Sequence, residues 1–189
     1  MNGAMRRHWF PKPYADLVAK LRVPAGFVMV AAFAAFSHPT AGSMAFGLPV
    51  SFAGLALRAW AAGHLAKNSR LAVSGPYAFT RNPLYLGTLI TAMGLAIAGD
   101  SGGLAALFGV LFAVVYLPAI ELEEQHLNDI LPGYAEFAAR VPLLIPRWPA
   151  DLGPDSFSFA LYRKNREYQA LTGCLFGVTW LTFRSFWSR

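Results

Sequence analysis

Charged side chains are scarce in this sequence. They make up 14% of its 189 residues, whereas hydrophobic residues make up 56% and the mean hydropathy is +0.41. A soluble domain carries about 25% charged residues, so the sequence predicts a single-domain membrane protein. The net charge of +6 could indicate nucleic-acid binding. The basic residues fall in alternate loops, however, and we therefore expect no nucleic-acid partner.

The sequence also has only one cysteine, and it lacks two common motifs, one built on glycine and one on histidine. Cys174 is the only cysteine, which excludes an internal disulfide and a cysteine-rich metal site. None of the 17 glycines forms Gly-x-Gly, so the nucleotide-binding fingerprint of soluble folds is absent. Glu123-x-x-His126 is one copy of a pattern that carboxylate-bridged metal centres need twice. We predict no metal site.

Five apolar segments are present, and polar stretches separate them. They predict an all-α, polytopic membrane helix bundle with about five transmembrane helices. Arg6 and Arg7 before the first segment resemble a signal peptide, but further apolar segments follow, so we expect the first to be retained. Pro118 should kink the fourth segment. The segments are residues 23–36, 44–65, 84–98, 104–120 and 168–187.

The polar stretches divide the chain into four parts. Residues 1–22 mix basic and aromatic side chains, which favours an interfacial arm; a merely solvated arm is the alternative. Residues 23–147 form the membrane core, and residues 148–167 are a linker rich in proline, glycine and aspartate. Residues 168–187 add a C-terminal helix. Its Gly173-x-x-x-Gly177 pattern favours close helix packing, and a homodimer through the same glycines is the alternative.

Lysine and arginine are distributed unevenly between the polar stretches. The arm has five, the 66–83 loop three and the 121–167 region five, whereas the turns at 37–43 and 99–103 have none. The positive-inside rule therefore predicts that the N-terminus and both long polar regions are cytoplasmic.

Two polar stretches are candidates for a site. Residues 75–87 contain Arg81-Asn82-Pro83 where a basic loop meets an apolar helix. Asn82 and Pro83 could simply begin that helix, and Tyr77 and Tyr85 could belong to an aromatic belt.

The second stretch, residues 121–124, carries three glutamates at the C-terminal side of an apolar helix. The helix dipole there prefers cations, and an ionisable group at a membrane boundary suggests a site. Glu123 and Glu124 are stronger candidates than Glu121. Alternatively, these carboxylates are solvated and offset by Arg140 or Arg147.

Taken together, the two stretches resemble the isoprenylcysteine carboxyl methyltransferase family and its phospholipid methyltransferase relatives. The family signature is Gly-Pro-Tyr, then Arg-His-Pro-x-Tyr, an apolar residue and Gly, which corresponds here to residues 75–87. Glu123-Glu124, Gly133-Tyr134, Val141-Pro142 and Pro146 match the downstream part. The resemblance covers about residues 71–147, the catalytic half. This chain has Asn82 where many members have His.

The resemblance implies a small helical membrane protein with an S-adenosylmethionine pocket at its cytosolic face. It assigns catalytic roles to Arg81 and Glu124. The implied acceptor is a lipophilic small molecule or a lipidated, membrane-bound group, in contact with membrane lipid. A phospholipid N-methyltransferase, or a non-catalytic protein that keeps the fold, are the alternatives. The implied cofactor-binding residues are Tyr77, Arg81, Asn82, Pro83, Tyr85, Glu123 and Glu124.

Overall fold

The computed structural model describes residues 10–149 and 151–187, without the side chains of residues 12, 15, 19 and 22. The all-α prediction is confirmed, since these residues include no strand. A 3-10 turn, Gly75–Ala78, precedes the third helix, and a π-helical turn, Phe112–Tyr116, joins the fourth and fifth. The helices are α1 (Lys12–Phe36), α2 (Ala41–Ala62), α3 (Pro83–Ala98), α4 (Gly102–Leu111), α5 (Leu117–Ile130), α6 (Tyr134–Arg140), α7 (Phe159–Lys164) and α8 (Tyr168–Trp187).

Membrane spans are supported for fewer helices than the sequence suggested. Within the described ranges, two stretches are long and apolar enough to cross a bilayer, Ala41–Ala62 and Gly102–Ile130. Val23–Phe36 and Pro83–Ala98 are apolar but shorter. α3 rises about 24 Å, less than a hydrocarbon core of roughly 30 Å. α8 has 20 residues, but it is not among the stretches apolar enough to cross a bilayer, because polar side chains interrupt it. Membrane association is supported, whereas a count of five spans is not.

The predicted N-terminal arm is helical from Lys12 onward. α1 begins at Lys12 and continues into the apolar segment without a break; residues 1–9 lie outside the described residues. The arm is attached to the fifth helix, because the Phe10 backbone N–H donates to Glu121 Oε2 over 3.1 Å. Further along, the Tyr14 hydroxyl donates to the Val114 carbonyl over 2.8 Å.

Pro118 disturbs its helix in the way its chemistry requires. It lacks the N–H that would bond to Val114 in an α-helix, and the backbone widens into the π-helical turn immediately before it. The Tyr14 hydroxyl supplies a donor to the Val114 carbonyl. The predicted disruption at Pro118 therefore also creates an attachment point for α1.

Glycines bring α2 and α3 into backbone contact. A Cβ added at Gly54 would lie 2.5 Å from the Thr91 amide nitrogen, and one at Gly47 would lie 2.2 Å from the Ala98 amide nitrogen. The Ser51 hydroxyl also donates to the Thr91 carbonyl over 2.8 Å. The absence of side chains at Gly47 and Gly54 thus lets α2 pack closely against α3. This contact places the start of α3, where the candidate site lies, against the end of α2.

The Gly173-x-x-x-Gly177 pattern faces its own chain on one side. A Cβ at Gly177 would lie 3.7 Å from the Leu95 side chain and 3.8 Å from that of Phe33. A Cβ at Gly173 would meet nothing within 4 Å among the described residues. Intramolecular packing accounts for Gly177, and the homodimer stays a prediction.

Candidate functional site

The first half of the 75–87 stretch requires a glycine at its start. Gly75 has φ +60°, a conformation that favours glycine. A Cβ at this position would also lie 2.7 Å from His64 Nε2. Pro76 follows within the 3-10 turn, and the turn buries Tyr77. The Gly-Pro-Tyr sequence thus places one aromatic side chain between the end of α2 and the start of α3.

Asn82 occupies the N-cap position of α3 but makes no side-chain cap. Its Nδ2 instead donates to Glu124 Oε1 over 3.1 Å and to the Leu143 carbonyl over 3.2 Å. Pro83 begins the helix, where its missing N–H has no cost. The helix start was therefore foreseeable, whereas the role of the Asn82 side chain is to connect α3 to α5.

Arg81 and Glu124 form an ion pair at the centre of the site. Arg81 Nε lies 3.0 Å from Glu124 Oε1, and both side chains are mostly buried. Nε nevertheless has no aligned hydrogen-bond partner within residues 10–149 and 151–187. Arg81 Nη1 donates to the Ala138 carbonyl over 2.9 Å. Two contacts thus fix the guanidinium. Its buried Nε–H makes no aligned hydrogen bond to the described residues.

Glu123 directly precedes Glu124 in α5, but its side chain has a different partner. Its Oε2 accepts a hydrogen bond from the Tyr85 hydroxyl over 2.9 Å. Consecutive residues on an α-helix differ by about 100° in direction. Glu123 and Glu124 therefore contact different partners on α3 and on the loop before it.

Two buried tyrosines adjoin these carboxylates. Burial raises the pKa of the Tyr134 hydroxyl, and the negative charge of Glu124 raises that pKa further. Burial likewise raises the pKa of Tyr77, with Glu123 as the next cause. Both hydroxyls consequently stay protonated at neutral pH and are hydrogen-bond donors.

The segment after α6 is hydrogen-bonded to the loop that precedes α3. The Arg81 amide donates to the Pro142 carbonyl over 2.9 Å, and the Arg147 amide donates to the Phe79 carbonyl over 3.0 Å. Residues 142–147 therefore run alongside the loop that precedes α3. This pairing explains why the downstream Val-Pro and Pro matches belong to the same pattern as the upstream stretch.

These contacts surround a small cavity of about 70 Å³. Glu124 is not among its lining residues; it contacts Arg81 and Asn82 from behind the wall. Residues 67, 68 and 70–72 of the loop and residues Tyr134 and Phe137 of α6 also line it, together with four other leucines. The structure thus brings all seven predicted site residues together. Six of them line the cavity: Tyr77, Arg81, Asn82, Pro83, Tyr85 and Glu123.

Sequence reasoning missed one buried ion pair beside the cavity. Arg58 Nε lies 2.5 Å from Glu167 Oε1, and Arg58 Nη2 lies 3.1 Å from Glu167 Oε2. The available signal was the single charge of Arg58 within an otherwise apolar helix. Its partner lies 109 residues away in the chain, so no local pattern identifies it.

The remaining acidic and histidine candidates are accounted for separately. Glu121 binds the Phe10 amide and so belongs to the α1 contact. His126 is exposed. No group of three or more histidine, cysteine, aspartate or glutamate side chains suited to a metal ion occurs among the residues that the structure describes.

Comparison with known families identifies a match over this part of the chain. Residues 40–133 match the family described as phospholipid methyltransferase. The matched segment covers about half of the chain, from α2 through α5, and includes both site stretches. Over this segment the chain belongs to that family of integral membrane methyltransferases, which is related to the isoprenylcysteine carboxyl methyltransferases. The family resemblance is confirmed.

Two curated proteins are similar over 92 residues. One is the cobalt-zinc-cadmium resistance protein CzcN of Cupriavidus metallidurans, 36% identical. The other is the nickel-cobalt-cadmium resistance protein NccN of Alcaligenes xylosoxydans xylosoxydans, 33% identical. Each alignment covers 48% of this chain and 43% of the relative, so the chain matches less than half the length of either. No solved structure matches.

Proposed function

We propose that this protein is an S-adenosylmethionine-dependent methyltransferase that acts on a lipophilic or membrane-bound acceptor, as isoprenylcysteine carboxyl methyltransferases do. The observation that carries the proposal is the cavity at the start of α3. Arg81, Tyr85 and Glu123 line it together, although the latter two residues lie 38 positions apart. The uneven distribution of lysine and arginine supports a cytoplasmic orientation for this cavity.

The lining residues suit the cofactor by their chemistry. S-adenosylmethionine supplies a methyl group on a sulfonium cation and also carries a carboxylate. Arg81 lines the cavity, and guanidinium groups bind carboxylates well. Glu123 can accept hydrogen bonds from amino or hydroxyl groups, and the Tyr85 ring can attract a cation. Each of these groups already lies at the cavity.

The cavity is too small in its present form. Its volume of about 70 Å³ is below the roughly 300–1,000 Å³ of small-molecule sites. The wall formed by loop residues 67–72 is the part that can yield. An exposed ion pair holds it, in which Arg70 Nη1 lies 3.0 Å from Asp155 Oδ1, and such pairs contribute little stability. We therefore infer that this wall moves outward when the cofactor binds.

Asn82 in place of histidine is compatible with this function. In this structure the position donates to Glu124 and to a backbone carbonyl, and an amide does this without titrating. Positioning of reactants alone can supply a large part of a rate enhancement. The Asn82–Glu124 contact, with the Arg81–Glu124 ion pair, performs that positioning by holding the start of α3 against α5.

An apolar crevice supports a lipophilic acceptor. It has a volume of about 380 Å³ and is lined almost entirely by apolar side chains of α1, α3, α4 and α8, including Ala92 and Phe108. Tyr85, Leu89 and Ala92 pack against the buried cluster that contains Phe108. Apolar packing therefore runs continuously from the cavity to the crevice. A hydrocarbon chain bound in the crevice would lie against the same apolar cluster that Tyr85 contacts.

A phospholipid amine is the second candidate acceptor, because the matched family is described as phospholipid methyltransferase. Purified protein, a radiolabelled methyl donor and separate acceptors would distinguish the two. Label transferred to phosphatidylethanolamine supports a phospholipid amine as the acceptor. Label transferred to a prenylated cysteine and lost on mild base treatment supports a carboxyl methyl ester.

Isothermal titration with S-adenosylmethionine tests the proposal itself. Wild-type protein in detergent should bind. Tyr85→Ala should bind more weakly because it removes a ring from the cavity and the donor to Glu123. Glu121→Gln is the matched control, since Glu121 contacts α1 rather than the cavity. Absence of binding by the wild type, or equal weakening by both variants, contradicts the proposal.

A further inference from the structure

The segment described as a linker packs across the loop that forms the cavity wall. We name residues 152–167 the C-terminal strap. The Gly75 amide donates to the Leu152 carbonyl over 2.8 Å, and the Ser158 amide donates to the Gly63 carbonyl over 2.9 Å. Asn165 Nδ2 donates to the Ala62 and Leu65 carbonyls, each over 2.9 Å. The strap thus contacts both ends of the loop.

The strap ends in the buried ion pair. Glu167 is only 8% exposed, and both of its carboxylate oxygens contact the Arg58 guanidinium. Bidentate pairs of this kind fix the orientation of both groups. The position of Arg58 therefore depends on a residue outside the matched family segment 40–133.

Arg58 in turn contacts the first turns of α3. Its Nη1 donates to the Leu84 carbonyl over 3.2 Å and also to the Thr88 hydroxyl. Leu84 lines the cavity and packs against the buried cluster that contains Tyr77. Glu167 is also close enough for its charge to contribute to the raised pKa of Tyr77. A chain of contacts therefore leads from the strap to two cavity walls.

We propose that Glu167 is a positioning residue for the cofactor cavity, acting through Arg58 on the start of α3. This inference rests on the proposed function. Without its carboxylate partner, Arg58 would remain as a partly buried, unpaired cation and would reorient toward water or other acceptors. The Leu84 carbonyl and Thr88 would lose their donor, and the walls carrying Tyr77 and Tyr85 would loosen.

Glu167→Gln tests this inference by two measurements. The first is the affinity for S-adenosylmethionine. Removal of supporting contacts at metal centres costs about 10–100-fold in affinity, and we expect about tenfold weaker binding here. The second is amide hydrogen exchange of residues 77–88 in the cofactor-free protein, which should become faster. Thr88→Val removes only one Arg58 contact and should change both readouts in the same direction but less, so the test survives if Glu167→Gln does not fold.

Arg184→Gln is the matched control for a purely structural effect. Arg184 donates to the Ala34 and Ala35 carbonyls at the end of α1, each over 3.0 Å. The variant should lower the melting temperature without changing cofactor affinity. Equal weakening of affinity by Arg184→Gln and Glu167→Gln overturns the positioning role. Unchanged affinity or unchanged exchange in Glu167→Gln also overturns it. Wild-type protein that does not bind contradicts the proposed function instead, and the exchange result still decides whether the strap holds the loop.

Discussion

Replacing Glu124 by glutamine should destabilise the protein more than the same change at Glu123. Glu124 holds Arg81 as an ion pair and Asn82 by a hydrogen bond. Glu123 contacts the Tyr85 hydroxyl, and a glutamine oxygen can still accept that bond. The two substitutions have the same chemistry on adjacent residues, so each is the control for the other.

The size of the effect follows from the burial of the pair. Arg81 and Glu124 are 15% and 19% exposed, so solvent screens them only in part. Two unit charges about 4 Å apart attract by about 4 kcal/mol at an effective dielectric constant of about 20, and the cost of desolvation offsets part of this. Hydrogen bonds to charged groups contribute about 1.5–3 kcal/mol. We expect Glu124→Gln to lower the free energy of unfolding by about 2–3 kcal/mol and Glu123→Gln by less than about 1 kcal/mol.

Reversible unfolding in mixed detergent and dodecyl sulfate micelles measures this difference through tryptophan fluorescence. An Arg81→Gln, Glu124→Gln double variant adds a cycle, and the second substitution should cost little once the first has broken the pair. A Glu124→Gln protein within about 0.5 kcal/mol of the wild type, the range of ordinary surface substitutions, refutes the reasoning. Strict additivity in the cycle refutes it equally.

Two further predictions concern packing and pH. Gly54→Leu should abolish the α2–α3 contact, because even a Cβ at Gly54 would lie 2.5 Å from the Thr91 amide nitrogen. The folded monomer should then be lost in size-exclusion chromatography, whereas Gly109→Leu, at an exposed position, is the control and should elute normally. A normal elution profile for Gly54→Leu contradicts the prediction. The raised pKa of Tyr134 implies stability that is complete below the ordinary tyrosine pKa of about 10 and declines as the pH rises toward the pKa of the folded state. Tyr134→Phe should make this decline less steep, and an identical profile of melting temperature against pH speaks against a raised pKa.

Local rules accounted for much of the fold. The scarcity of charge predicted membrane association, and the apolar segments correspond closely to the main helices. Pro118 indicated a disturbed helix. The span count was less predictable, because α3 is short and polar side chains interrupt α8. The linker prediction described composition correctly but could not show that residues 152–167 pack against the loop.

The sequence by itself determined which residues belong to the candidate site, since the order and spacing of the 75–87 stretch and the Glu123-Glu124 pair identify the family. Only the tertiary structure decided which partner each of those residues contacts and which of them line the cavity. Glu123 reaches the cavity and Glu124 lies behind its wall, because the rotation of α5 is set by packing against other helices rather than by its own sequence. The Asn82 side chain bonds to Glu124 instead of capping α3 because that carboxylate lies next to it in space. Glu167 meets Arg58 for the same physical reason: folding joins residues that no local pattern relates.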